Sequence, residues 1–332
     1  TQIFGVTGVF LTGIKGYISI FIRSFALICV PLFLILTGYF QCTKVFSKKF
    51  YKGIIPVLTS YIFISAVTLF CLPLDKRPTF FGGIKGILNF TANPYSWYVE
   101  MYIGLFLLIP FLNIMYNGLK SKKQKLILIC TLIFITGISD FFLFFGKNEE
   151  NLFTTFKYWE NFYPVSYYFI GCFIREYKPK IKKGINFLLI IFLPCVISAY
   201  LFAMCYGESL KWWMFTGWSN IIIVVSAVLF FLFFYDLNLK NKFIKIAVSD
   251  ISLRSFDMYL FSFIADDMVS RFFIEKGIEI HPKYIIIGVP LIFLFSYILA
   301  KIKQLLFFII KYVGKKLSIN KDKSEERIDK AS

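Results

Sequence analysis

Arg23 stands directly before the first long apolar stretch of the chain, the seventeen uncharged residues 24–40. An ionised side chain inside a membrane segment is energetically costly and by default indicates a functional site. A guanidinium stays charged and binds planar anions through two hydrogen bonds. Two predictions for Arg23 therefore stand side by side: its side chain extends toward the outer headgroups, or it holds a phosphate, a carboxylate or a thioester-derived oxyanion.

Glu100 follows Trp97 and Tyr98 at the start of another apolar stretch. A carboxylate there is either an interfacial group in contact with water or a base and hydrogen-bond acceptor for a sugar hydroxyl. Tryptophan and tyrosine rings anchor at membrane interfaces, and the same amphipathic rings can stack on sugars. The sequence thus offers Glu100 as a catalytic candidate and Trp97 and Tyr98 as acceptor-binding candidates.

A cluster of charged residues interrupts the apolar segment 254–273. At about 100° per residue, Asp257, Asp267 and Arg271 share one sector of a helix, whereas Asp266 points the opposite way. Asp267 and Arg271 also have the spacing of an i, i+4 ion pair. We predict that the shared stripe faces the bundle interior or a water-filled cavity, with Asp257 and Asp267 as substrate-binding candidates. Structural pairing of Asp267 with Arg271, and an interfacial position for Asp257, are the alternatives.

Lys48 and Lys49 belong to a lysine cluster that follows the first apolar stretch. Such a cluster is first of all a topology signal, and it could also attract the phosphates of an anionic cofactor. His281, the only histidine, has no Cys, Asp or Glu at metal-ligand spacing, so the sequence predicts no metal site.

The composition places these residues in a membrane protein. Hydrophobic residues make up 58% of the chain and charged residues 17%, which excludes an ordinary soluble domain. A net charge of +18 could indicate nucleic-acid binding, but the lysines lie in short loops between apolar runs. We therefore predict an all-α, polytopic membrane helix bundle that binds no nucleic acid.

The uncharged stretches predict nine membrane segments. Every second connecting loop is strongly basic, which predicts that those loops and the C-terminus are cytoplasmic. One further helix before Thr1 is expected from this topology, giving ten. Residues 1–316 are predicted to form the membrane domain, and residues 317–332 a polar, disordered cytosolic tail. The nine segments are 17–41, 53–74, 97–118, 126–145, 158–174, 185–206, 214–235, 254–273 and 284–302.

Several short stretches, in their order and spacing, resemble signatures of the acyltransferase-3 family of integral-membrane acyltransferases. The resemblance extends over nearly the whole chain, and no single stretch decides it. The stretches are Val30-Pro31-Leu32-Phe33, Thr37-Gly38-Tyr39-Phe40, Lys48-Lys49-Phe50-Tyr51, Trp97-Tyr98, the run from Gly104 to Pro110, Tyr168-Phe169-Ile170-Gly171 and the run from Ser255 to Leu260.

The resemblance implies transfer of an acyl group, usually acetyl, from cytosolic coenzyme A thioester to a hydroxyl of an extracytoplasmic polysaccharide or lipid-linked sugar, in a bacterial cytoplasmic membrane. It also implies a histidine and an arginine in the first helix, which we expect upstream of Thr1. Two further positions at which the family often has histidine hold Tyr95 and Phe261 here. This departure leaves open a subfamily that relies on the upstream histidine, or an inactive chain.

Within that framework Arg23 is the candidate for charge stabilisation, Lys48 and Lys49 for acyl-CoA phosphates, and Glu100, Trp97 and Tyr98 for the acceptor. Rival interpretations are a transporter or flippase of a small anionic or glycan substrate, a non-catalytic scaffold and a truncated remnant. A transporter would be expected to show inverted repeats and matching broken helices, which the sequence lacks.

Overall fold

The computed structural model describes residues 13–142, 156–204, 206–207, 217–275 and 285–329, and all regular elements within these ranges are helical. Two short 3-10 helices, Leu74–Lys76 and Lys157–Phe162, accompany twelve α-helices. These are α1 Gly13–Ala26, α2 Cys29–Gln41, α3 Lys48–Lys52, α4 Ile55–Cys71, α5 Phe80–Leu88, α6 Trp97–Gly118, α7 Lys122–Phe142, α8 Tyr163–Tyr177, α9 Lys183–Met204, α10 Ile221–Phe234, α11 Lys242–Glu275 and α12 Ile285–Asp329.

The all-helical prediction is confirmed for the described residues, but the count of nine membrane segments is not. Each predicted segment overlaps a helix within the described residues. α8 and α10 have only 15 and 14 residues, short of the roughly 20 that cross a bilayer, and α11 carries four charges between Asp257 and Arg271. Five described helices are long and apolar enough to span: Gly16–Gln41, Lys48–Cys71, Trp97–Gly118, Lys183–Met204 and Ile287–Val313.

The first predicted segment is a helix interrupted by a turn at Leu27 and Ile28. Pro31 lies three residues after this turn and has no N–H to donate to the carbonyl of Leu27. The missing bond separates α1 from α2, so Arg23 lies in the last turn of α1, before the break.

The closest helix packing joins α2 to α8 at two glycines. A Cβ on Gly38 would lie 2.0 Å from the carbonyl oxygen of Tyr168, and one on Gly171 would lie 2.1 Å from that of Ile35. Only glycine allows backbones to approach this closely. Both glycines belong to the stretches on which the family resemblance rests.

The apolar side chains form two main cores with a boundary between them. One core combines residues of α2, α6, α7, α8 and α10, and the other combines residues of α4, α11 and α12. α6 contributes to both, because Tyr98 belongs to the first core and Val99 to the second. This boundary is where the molecule leaves internal space.

Three contacts bring predicted basic loops to one end of the bundle. Lys125, near the start of α7, pairs with Glu176 at the end of α8 at 2.8 Å. The side-chain amide of Asn113 donates to the carbonyl oxygens of Gln41 and Lys44, at 2.8 and 2.7 Å. The contacts agree with the alternation of basic loops in the sequence, whereas the cytoplasmic assignment of this end stays a prediction.

The structure of the C-terminal tail differs from the prediction. α12 continues as helix to Asp329, through residues that were predicted to be disordered. The stretch is rich in Lys, Glu and Arg, which are strong helix formers, so local propensity extends the helix beyond its apolar part. The boundary between a membrane domain that ends at residue 316 and a cytosolic tail that begins at residue 317 stays a prediction.

Candidate functional site

A cavity of about 690 Å³ lies at the boundary between the two cores. α2 forms one wall from Cys29 to Gln41, α6 contributes Tyr98 and Tyr102, and α11 contributes Tyr259, with further residues from α12. The volume is in the range of pockets that bind small molecules. Four of the stretches that resemble the family signatures, two from α2 and one each from α6 and α11, meet here although the three helices are far apart in the chain.

Tyr98 is at the centre of an aromatic cluster beside the cavity. Its ring centroid lies 6.0 Å from that of Phe33, 5.6 Å from that of Tyr259 and 6.4 Å from that of Tyr102. The hydroxyl of Tyr259 donates to the carbonyl oxygen of Tyr95 at 2.9 Å, which fixes that ring against α6. Tyr98, which the sequence predicts to bind the acceptor, therefore lies in the wall of this cavity.

Trp97 does not line the cavity. Its indole stacks on that of Trp218, with centroids 4.5 Å apart and planes at 16°. The carbonyl oxygen of Trp218 accepts a 2.6 Å hydrogen bond from the hydroxyl of Tyr167, which positions the second indole. One face of Trp97 is thus occupied by protein, and sugar stacking on this residue stays a prediction.

Glu100 is exposed in the first turn of α6. It lies about 200° around the helix from both Tyr98 and Tyr102, so it is on the opposite side of α6 from the cavity. A carboxylate in a first turn is favourable to the helix dipole in any case. The structure does not bring Glu100 to the other candidate residues of α6.

Arg23 is half-buried on α1, which packs against α9. Two contacts fix this packing: the hydroxyl of Tyr17 donates to the carbonyl oxygen of Cys195 at 3.2 Å, and that of Ser198 donates to the hydroxyl of Ser24 at 3.4 Å. Cys29, the first cavity residue of α2, is six residues further along the chain, just beyond the turn at Leu27 and Ile28. Arg23 is thus near the cavity without lining it.

The orientation predicted for the charged residues of α11 is wrong in its second half. Asp266, predicted to point away from the interior, is buried, and the hydroxyl of Tyr95 donates to its Oδ2 at 3.4 Å. Asp267 and Arg271 form the predicted ion pair at 2.6 Å but remain substantially exposed. The helical spacing fixed the angles among these residues, whereas the packing of neighbouring apolar residues fixed which side turned inward.

Asp257 lies apart from Asp267 and has a structural partner. Its Oδ1 accepts a 2.6 Å hydrogen bond from Lys303 of α12, and Lys303 also contacts the hydroxyl of Ser60 on α4. The side chains of Lys303 and Asp257 are only 7% and 19% exposed. Ten residues of helix, about 15 Å, separate the two predicted substrate-binding aspartates.

A second charged cluster near the start of α11 was missed from the sequence. Asp250 pairs with Arg254 at 2.6 Å and with Lys301 at 3.0 Å, and it accepts a hydrogen bond from the hydroxyl of Tyr297. Hydrogen bonds from Tyr297 and Lys301 hold the pKa of Asp250 below its usual value. The i, i+4 spacing of Asp250 and Arg254 was the available signal.

Lys48 and Lys49 are exposed on α3, a helix that Ser47 initiates by accepting the N–H of Phe50 at 3.1 Å. Their ammonium groups can reach an anion in solution at the end of the bundle where Gln41 closes α2. Their predicted role in binding acyl-CoA phosphates stays a prediction.

The thiols of Cys42 and Cys172 meet where α2 and α8 cross. Cys172 Sγ lies 3.7 Å from the carbonyl oxygen of Gly38, and the N–H of Cys42 donates to the same oxygen at 3.0 Å. A hydrogen bond from Cys172, assisted by the positive charge of Arg175, lowers the pKa of the Cys42 thiol to about 7. Sequence spacing gave no sign of this pair.

No group of three or more His, Cys, Asp or Glu side chains that could hold a metal ion occurs within the described residues. His281 lies outside them.

The chain matches the family model for an acyltransferase domain over residues 4–314 of 332. Comparison with curated proteins gave no match, and neither did comparison with solved structures. The matched region includes every residue that lines the cavity, and membership of this family indicates a membrane enzyme that transfers acyl groups. The chain therefore belongs to the acyltransferase-3 family of integral-membrane acyltransferases, as its motifs predicted.

Proposed function

We propose that this protein transfers an acyl group, usually acetyl, from cytosolic acyl-CoA to a hydroxyl of an extracytoplasmic polysaccharide or lipid-linked sugar. The observation that carries the proposal is the convergence of family-like stretches from three helices, α2, α6 and α11, around one cavity. A well-formed, mostly apolar pocket with a few polar groups is the usual form of a ligand-binding site. The convergence of these stretches on one cavity therefore supports a role in binding.

Acyl transfer to a hydroxyl needs a base for the acceptor and positive or hydrogen-bonding groups for the developing oxyanion. Arg23, six residues before the first residue of the cavity wall, supplies the charge in this proposal. Tyr98 supplies a phenol at the wall itself. Glu100 can act as a base only if the acceptor also contacts the side of α6 that is opposite the cavity, because Glu100 and Tyr98 are on opposite sides of this helix.

The proposed donor reaches the protein from the end that carries the basic loops. Lys48 and Lys49 are exposed there, close in sequence to Gln41 at that end of the cavity wall. Coenzyme A carries several phosphate charges, which lysine ammonium groups attract over a Debye length of about 8 Å at physiological salt. In this proposal the same end is cytoplasmic, and the membrane is a bacterial inner membrane.

The test uses cells that express the full-length protein and their purified envelope glycans. Mass spectrometry should find acyl esters on the glycan that are absent from a deletion strain, and radiolabelled acetyl-CoA should label the same glycan in membranes. Arg23→Ala should abolish the labelling at unchanged expression, whereas Lys123→Ala, which removes an exposed cation in the first turn of α7, should leave it unchanged. Wild-type membranes that transfer no label would contradict the function, and full activity of Arg23→Ala would contradict its role alone.

A further inference from the structure

The walls of the cavity present few free polar groups although several serines and tyrosines line it. Five lining hydroxyls donate to backbone carbonyls, four of them within their own helix. These bonds are Thr37 to Phe33 at 2.8 Å, Ser255 to Ser252 at 2.9 Å, Tyr259 to Tyr95 at 2.9 Å, Ser262 to Tyr259 at 2.6 Å and Ser296 to Ile292 at 2.6 Å.

A sugar inside such a cavity would leave many of its hydroxyls without partners, at about 1–3 kcal/mol for each buried group. A hydrocarbon chain has no polar groups to leave unpaired in the same place, and moving it there from the bilayer costs little, because lipid tails and the apolar wall are chemically alike. The remaining wall consists largely of Phe, Leu, Val, Ile and Met side chains. The chemistry of the wall therefore selects an alkyl or isoprenyl chain over a glycan.

The shape of the cavity fits an elongated ligand. The α2 wall covers thirteen residues, from Cys29 to Gln41, and the twelve steps between them span about 18 Å at ~1.5 Å each. Tyr98 lines the cavity near Cys29, at one end of this wall, and Tyr102 lines it one turn further along α6. A phenol can donate to a carbonyl or phosphate oxygen, which is the kind of group that joins a lipid chain to its polar head.

The rim of the cavity indicates how such a chain enters. Phe33 and Phe40 on α2, and Val289 and Phe293 on α12, line the cavity and are at the same time 38 to 64% exposed. Both helices belong to candidate membrane spans. Apolar side chains that are exposed on a membrane-spanning helix face lipid. We therefore expect the cavity to open sideways to the bilayer on its α2 and α12 sides.

We propose that this cavity binds the hydrocarbon chain of a membrane lipid that enters from the bilayer between α2 and α12. If the proposed acyl transfer is correct, this lipid is the anchor of a lipid-linked acceptor, and Tyr98 and Tyr102 contact the group that follows the anchor. The acceptor then belongs to the lipid-linked class rather than to free polysaccharide.

The test is photolabelling of the full-length protein in lipid nanodiscs that contain a diazirine-bearing phosphatidylethanolamine at low mole fraction. Peptide mapping should find several-fold more label on the cavity residues than on exposed apolar residues of α9, such as Leu188 and Phe192. Ser262→Phe and Ser296→Phe fill the cavity and should reduce that label several-fold. Leu294→Phe adds the same ring to an exposed side of α12 and should leave it unchanged.

Equal label on α9 and on the cavity, or label that the filling variants do not reduce, would overturn the proposal. Competition by palmitoyl-CoA but not by unlabelled phosphatidylethanolamine would also overturn it, since the chain would then come from the donor. Circular dichroism identifies a variant that fails to fold, and the wild-type map alone still decides between cavity and exterior. Because labelling needs no turnover, a labelled cavity without acyl transfer would contradict the proposed function and not the lipid site.

Discussion

At the scale of single residues, burial separated the charged side chains into structural and accessible groups. Asp257 and Lys303 form a buried pair between α11 and α12, whereas Asp267 and Arg271 pair on a more exposed side. A charge left without its partner in a buried pair is costly, while an exposed pair contributes little. Stability measurements can therefore test the structural role of Asp257 against its predicted role in binding substrate.

Asp257→Asn should destabilise the protein by about 3 kcal/mol, because Lys303 would remain charged and buried. Asp257→Asn combined with Lys303→Met should recover much of this loss. Thermal unfolding in detergent measures both, and Asp236→Asn, in the exposed pair with Lys183, is the matched control with a change within about 0.5 kcal/mol. Unchanged stability with lost substrate binding would instead support the substrate role.

Cys42 should react as a thiolate near neutral pH. Its pKa is lowered to about 7, so the rate of alkylation by iodoacetamide should rise with pH through a midpoint near 7. Cys172→Ala removes the hydrogen bond that stabilises the thiolate, and the midpoint should move upward toward the ordinary value of about 8.5. A wild-type midpoint already at that ordinary value would contradict the contact, and Cys42→Ser identifies the modified peptide.

At the scale of elements, the crossing of α2 and α8 depends on two glycines within the family-like stretches. Their Cβ positions are occupied by backbone atoms of the facing helix, which cannot move as a flexible side chain would. α2 also forms a wall of the cavity, so any shift of this crossing changes the cavity as well as the packing.

Gly38→Ala and Gly171→Ala should each destabilise the protein by about 1–3 kcal/mol, the usual cost of overpacking. Gly104→Ala in α6 is the matched control, because no heavy atom lies within 4 Å of its added Cβ. That change should be neutral or slightly stabilising, since alanine favours helix by up to ~1 kcal/mol. Thermal unfolding of the three variants measures the difference, and equal unfolding temperatures would refute the close approach.

At the scale of the whole molecule, charge determines the predicted orientation and the two cores determine where the ligand space lies. The basic loops that contacts bring together predict one cytoplasmic end. The charge alternation of the sequence predicts that the segment around α5 is on the opposite side. The cavity lies where the two cores meet, as expected of space between separately packed groups of helices.

Cysteine accessibility in intact cells tests this orientation. Lys85→Cys, exposed on α5, should react with a membrane-impermeant maleimide, whereas Lys48→Cys and Lys123→Cys should react only after the cells are permeabilised. Each variant is compared with the unsubstituted protein, whose own cysteines give the background. Reaction of Lys48→Cys in intact cells would reverse the predicted topology.

The sequence by itself determined the helical class, the membrane character and the family, because hydrophobic length, loop charge and short motifs are local properties of a chain. It also gave the Asp267 and Arg271 pair, which depends only on helical spacing. The tertiary structure decided which side of α11 turned inward. It also placed Tyr98 at a cavity and Glu100 away from it, and it brought the thiols of Cys42 and Cys172 within hydrogen-bonding contact. These outcomes depend on how distant helices pack, and a local pattern fixes relative angles along a helix without fixing which neighbour each side meets.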